Sequence, residues 1–156
     1  MTRADLERLA WAAALLLLAA LLLVEGRRRV ELERRVPVQA KQLYGLLSRS
    51  TVSLQLVDVR PDLADGYEDT HVPGALPLPG CDLSRAPAAA RERIITTVPT
   101  VVISAAGDEP ELPACLARFA AARALAGGME AWGEARLPED SGEYAPPSAK
   151  AGGGCL

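Results

Sequence analysis

Directly after an apolar run, Thr100-Val101-Val102-Ile103, the chain presents Ser104-Ala105-Ala106-Gly107-Asp108-Glu109, with Glu111 close behind: a hydroxyl, a turn glycine and three acids within a few residues. A serine at the end of a buried strand is a nucleophile only if a general base reaches it. The chain has a single histidine, His71, in the segment His71-Val72-Pro73-Gly74, and no base for the serine is evident. Serine hydrolysis is therefore not expected, and a multi-histidine metal centre is excluded. Sulfur chemistry has three candidates, Cys81, Cys115 and Cys155, with neither a C-x-x-C pair nor a disulfide framework among them. Scattered thiols of this kind fit a reducing compartment, where cysteine behaves as a small apolar residue. Cys115 is expected to be buried on a helix and Cys81, after a Pro-Gly turn, to be exposed. Cys155 is followed by too few residues for a prenylation box. Asp58 and Arg60, at the end of a second apolar strand, are expected to fix the following loop as an ion pair.

The elements that hold these residues alternate. A helical period of Ala40, Leu43, Tyr44, Leu46 and Leu47 predicts a helix within 38–49. Two runs rich in β-branched residues, 54–59 and 100–103, predict buried parallel strands. Between them lie a prolyl, edge-like segment at 75–79 and a helix over 86–95 with Pro87 in its first turn. Asp108, with Glu111 three residues on, predicts an N-capped helix carrying Leu112, Cys115, Leu116 and Phe119 on one face. Ala124-Leu125 is left as a brief last strand, Gly127-Gly128 as a turn and 129–135 as a final helix with Trp132 in the core.

Charge divides the chain. Residues 1–35 hold seven arginines against five acids, and the remainder ten Lys and Arg against fifteen acids. A net-acidic domain without a basic stripe argues against a nucleic-acid surface, because neutralising phosphates takes clustered cations. Residues 9–24 are an unbroken apolar run. At about 1.5 Å per residue it makes a helix about 24 Å long, somewhat short of a hydrocarbon core about 30 Å thick. The expectation is a single-pass anchor in the inner (plasma) membrane, because the residues that follow, Glu25-Gly26-Arg27-Arg28-Arg29, do not make a signal-peptide cleavage site. Arg27, Arg28, Arg29, Arg34 and Arg35 follow the run and only Arg3 and Arg8 precede it, which orients the rest of the chain to the cytoplasm. The expected organisation is an anchor at 1–25, a charged juxtamembrane stalk at 26–35, one domain at 36–138 and a disordered tail at 139–156, where Pro, Gly and Ser dominate.

Taken together, Leu56-Val57-Asp58-Val59-Arg60, then Tyr67 with His71-Val72-Pro73-Gly74-Ala75, then Val101-Val102-Ile103 entering a six-residue loop, then Gly127-Gly128-Met129-Glu130-Ala131-Trp132 resemble the rhodanese-like family in order and spacing. The resemblance spans about residues 36–138. It implies an α/β fold, a small parallel sheet of about five strands with helices on both faces, in which Asp58, Arg60, His71, Gly74, Gly127, Gly128 and Trp132 are structural. In active members the loop resembles C-x-x-G-x-R, whose cysteine carries sulfur. Here Gly107 keeps the family glycine, but Ser104 stands at the cysteine position and Glu109 at the arginine position.

Persulfide transfer needs a polarisable thiolate, which a hydroxyl near neutral pH cannot supply. Asp108, Glu109 and Glu111 would also repel an anionic substrate, at a cost of about 4 kcal/mol for like charges about 4 Å apart at an effective dielectric of about 20. The expectation is a pseudo-sulfurtransferase without cofactor or metal, acting as an accessory or interaction subunit of a membrane complex. Asp108, Glu109 and Glu111 would form its recognition patch for a basic partner. The rival expectation is a sulfur carrier that uses Cys81 or Cys115.

Overall fold

The computed structural model describes residues 11, 13–25, 36–49 and 54–146, and the chain divides into two compact units, Met1–Val36 and Pro37–Leu156. In the first unit residues 13–25 form helix α1, and its apolar side chains are exposed, Leu16 at 73%. Thirteen residues at about 1.5 Å each extend about 20 Å. Among the described residues no helix is long and apolar enough to cross a membrane. The expected anchor begins in residues outside the described ones, and the expected stalk at 26–35 lies wholly outside them.

The second unit is a parallel sheet of β1 (Gln55–Asp58), β2 (Leu76–Pro77), β3 (Pro99–Ile103) and β4 (Ala121–Ala124), in the order β2-β1-β3-β4. Helices α2 (Ala40–Leu47), α3 (Ala88–Arg91), α4 (Leu112–Leu116) and α5 (Gly128–Glu134) surround it. β1 and β3 lie side by side with Val57 opposite Val102 and Asp58 opposite Ile103. Both strands are nearly continuously buried, so their sequences carry no polar alternation. Their side chains still alternate between faces. Leu56, Val101 and Ile103 join Leu43, Tyr67, Leu125 and Trp132 in one core, while Val57 and Val102 join Leu78, Cys115 and Phe119 in the other. Trp132 and Leu43 are wholly buried in the first core. Burying a large apolar side chain of this kind contributes about 1.5–3 kcal/mol.

Several expected elements are altered by tertiary packing. Among the described residues four strands stand where about five were expected, because the fifth position is held by a single bridge between Val38 and Leu125. The Val38 N–H donates to the Ala124 carbonyl at 2.8 Å and its own carbonyl accepts from Ala126 N–H at 2.9 Å. Pro37 before it and the start of α2 at Ala40 leave no length for more pairing. The helix expected over 86–95 is shortened to Ala88–Arg91. β2 is the edge strand, as its prolines require. Residues 140–144, expected within the tail, are held on the domain. Asp140 exchanges backbone hydrogen bonds with His71 at 2.8 and 2.9 Å, and Tyr144 packs on the first core. These contacts extend the domain through residue 146, and 147–156 lie outside the described residues.

Candidate functional site

Strand β3 ends at the C-terminal edge of the sheet and delivers Ser104 there, only 4% exposed. The loop that follows is clamped from behind by α5. Met129 N–H donates to the Ser104 carbonyl at 2.9 Å and Glu130 N–H to the Ala105 carbonyl at 3.1 Å. That approach requires the two glycines that face each other across it. A Cβ on Gly128 (φ +55°) would lie 2.5 Å from the Ser104 carbonyl oxygen, and one on Gly107 (φ +85°) would lie 2.8 Å from the Gly127 nitrogen. The Gly127-Gly128 pair and the loop glycine therefore keep the backbone frame of the loop independently of its side chains.

Inside that frame the loop amides converge. Gly107 N–H donates to Ser104 Oγ at 3.1 Å and to Glu109 Oε2 at 3.1 Å, and Ala106 N–H donates to Glu109 Oε1 at 2.8 Å. Convergent backbone N–H groups form a concavity suited to an anion. Here the anion is the chain's own Glu109 carboxylate. Burial opposes its ionisation, but the Ser104 hydroxyl and the backbone N–H groups of Ala106, Glu109 and Ala105 outweigh it and hold its carboxyl below the usual range. This changes the expected picture at two points. Asp108 does not cap a helix, since α4 begins only at Leu112 and its first residues have no side-chain cap. Glu109 also turns inward, so of the expected three-acid patch only Asp108 and Glu111 are exposed.

Asp58 and Arg60 stand at the neighbouring strand end. Asp58, 2% exposed, accepts from Arg60 Nη2 at 2.7 Å and Arg60 Nε at 3.1 Å, while Arg60 Nη2 also donates to the Thr70 carbonyl at 2.5 Å. The pair ties the end of β1 to the segment that precedes His71. His71 is buried, stacks on Tyr67 at 3.9 Å, and its Nδ1 lies 2.7 Å from the Tyr67 carbonyl. Burial and the nearby Asp58 push the Tyr67 hydroxyl well above its ordinary value, and it stays protonated to donate to the Ala75 carbonyl at 2.8 Å. Gly74 lies in the turn between His71 and β2. Trp132 Nε1 donates to the Pro138 carbonyl at 2.9 Å, with its ring edge-on to Tyr44. None of these side chains lines the pocket beside the loop.

That pocket, of about 340 Å³, is lined by Val59, Ser104, Glu109, Glu111, Cys81 and Cys115 among others. The two cysteines are joined in a disulfide, their Cα atoms 5.7 Å apart. This corrects the reading of scattered free thiols, and Cys81 is buried at 7% rather than exposed. Spacing gave no hint of the pairing, because 34 residues separate the partners. They meet only because the turn after β2 and helix α4 both cover the second core. Among the described residues no cluster of His, Cys, Asp and Glu could hold a metal ion. A larger groove, about 620 Å³, lies at the opposite end of the strands, where Gln55, Leu76 and Val98 line it.

A family model for the rhodanese-like domain matches residues 39–135. Among solved structures the chain is similar to the BH2092 protein of Bacillus halodurans, at 20% identity and a TM-score of 0.56 over 75% of this chain and 85% of that one. It is also similar to the Alr3790 protein of Anabaena sp., at 28% identity and a TM-score of 0.53 over 67% of this chain and 80% of that one. SseA of Escherichia coli, a 3-mercaptopyruvate sulfotransferase, is similar at 19% identity and a TM-score of 0.56 over 72% of this chain and 54% of its own. No curated protein matches the chain.

Proposed function

Because the chain belongs to the rhodanese-like domain family, we propose that it is a member without sulfurtransferase activity at its loop, retained as a membrane-tethered module that docks onto a membrane protein or complex. The observation that carries this reading is the Glu109 carboxylate seated on the amides of Ala106 and Gly107, beside a hydroxyl where active members carry sulfur. An incoming thiosulfate or persulfide finds the cradle filled by an anion of the chain's own, and Ser104 offers no thiolate. The rival reading, in which Cys81 or Cys115 carries sulfur, is weakened by their disulfide, since neither thiolate is free in the oxidised form. The tether is the apolar stretch that includes α1, and the arginine excess after it favours a cytoplasmic domain. Confinement to a surface raises the effective concentration of a weak docking face, of which exposed Asp108 and Glu111 form the acidic part.

The test is a thiosulfate:cyanide assay on the full chain in mild detergent, wild type beside Ser104→Cys/Glu109→Arg. Wild type is expected to match the blank, and the double variant to load one sulfur atom by intact mass. Thiol-dependent turnover by wild type refutes the loss of sulfur transfer. For the docking part, Asp108→Lys/Glu111→Lys is expected to release a stoichiometric partner that wild type retains in detergent; if wild type retains none, the docking role fails.

A further inference from the structure

The Cys81–Cys115 disulfide belongs to the second core and forms its boundary with the pocket beside the loop, which both residues line at the C-terminal end of the strands. A space of about 340 Å³ falls within the range that binds small molecules, about 300–1,000 Å³. The two sulfurs are also not equivalent. Cys81 is the more exposed, at 7% against 2% for Cys115. Two arginines reach the backbone around Cys81. Arg118 Nη1 donates to its carbonyl at 2.5 Å, and Arg85 donates to Pro61 on the pocket wall at 2.8 Å and reaches the adjacent Gly80. Asp82, next in sequence, accepts from the N–H and hydroxyl of Ser84 at 2.9 and 2.8 Å; these bonds first, and the charges of Arg118 and Arg85 besides, hold its carboxyl below the usual range. Cys115 lies one helical turn after Glu111, whose carbonyl accepts its N–H at 3.1 Å, and its own carbonyl accepts the Arg118 N–H at 3.0 Å; Glu109 and Glu111 line the pocket with both cysteines.

We propose that Cys81–Cys115 is a thiol–disulfide exchange centre for a small thiol, in which Cys81 meets the external sulfur and Cys115 resolves. This goes beyond the docking role and does not depend on it. In the reducing direction a thiolate of a dithiol attacks Cys81 Sγ. The bond to Cys115 breaks, and Cys115 leaves with the electron pair and takes a proton. The second thiol of the reductant then attacks its own sulfur in the mixed disulfide, so that Cys81 leaves as a thiolate and the reductant departs as a cyclic disulfide. With a disulfide oxidant the same steps run backwards: Cys81 thiolate attacks, and Cys115 then closes the bond and expels the second thiol.

The test uses the full chain with Cys155→Ser, in mild detergent, so that only two thiols report. Dithiothreitol without denaturant is expected to open the disulfide while the circular dichroism stays native. Limiting iodoacetamide near neutral pH, followed by peptide mapping, is then expected to label Cys81 at least about threefold faster than Cys115. The ratio follows the difference in exposure, 7% against 2%. Reduction only in denaturant, or equal or faster labelling of Cys115 in the native protein, overturns the proposal.

Discussion

Replacing Glu109 with glutamine tests the central piece of geometry, because it removes charge with almost no change in size. The carboxylate accepts from Ala106 N–H at 2.8 Å and Gly107 N–H at 3.1 Å. A hydrogen bond to a charged group contributes about 1.5–3 kcal/mol, and the amide of glutamine keeps one acceptor oxygen while turning its N–H donors toward other donors. Glu109 is only half-buried, so water takes up part of the loss, and the net cost comes to about 1–2 kcal/mol. For a domain of this size that lowers the Tm by about 4–8 °C per kcal/mol. The sign with pH is fixed by the direction of the shift. A carboxyl held below its ordinary value of 4.5 contributes stability that is complete above that value and disappears as pH falls through the folded-state value. Urea unfolding of both proteins, followed through the fluorescence of buried Trp132, should therefore show a gap at pH 7 that shrinks once the pH drops below 4.5 and closes as it passes through the folded-state value. A gap that stays constant from pH 7 to acid would mean that the carboxylate is not what the loop amides hold.

Two further changes probe the frame around the loop. Arg60→Ala leaves the Asp58 carboxylate, 2% exposed, without its guanidinium partner. Breaking a buried pair on one side costs about 3–5 kcal/mol, so denaturant titration should give at least the lower figure, and a loss below about 1 kcal/mol would contradict a buried pair. Gly128→Ala drives a Cβ to within 2.5 Å of the Ser104 carbonyl oxygen, against the 2.9 Å hydrogen bond from Met129 N–H. That change is expected to lower the Tm by several degrees and to raise hydrogen exchange at Met129 and Glu130, and unchanged protection there would refute the clamp.

Much of the fold is visible in local pattern. Leu56-Val57-Asp58-Val59 and Val101-Val102-Ile103 are apolar on both faces because both faces are covered, and Ala75-Leu76-Pro77 lies at the edge because proline cannot donate to a ladder. The loop frame was equally legible, since Gly107 and Gly127-Gly128 are demanded by a backbone approach that no other residue permits. Less visible was where competing partners would take a residue. Asp108 followed by Glu111 has the form of a helix cap, but Pro113 and the apolar Leu112 start α4 later, and Glu109 finds better donors in its own loop. Similarly, the composition of 139–146 says nothing of Asp140 pairing with His71.

Residue types alone determined that serine rather than cysteine stands directly after β3, that one histidine cannot build a multi-histidine metal centre, and that the strands and glycines of a rhodanese-like domain stand in order. These are properties of atoms and of short-range backbone geometry, which need no knowledge of the rest of the chain. Tertiary structure alone decided where Glu109 points and that Cys81 meets Cys115. Both depend on which distant segments the sheet brings within hydrogen-bonding or bonding distance, and no local preference encodes that.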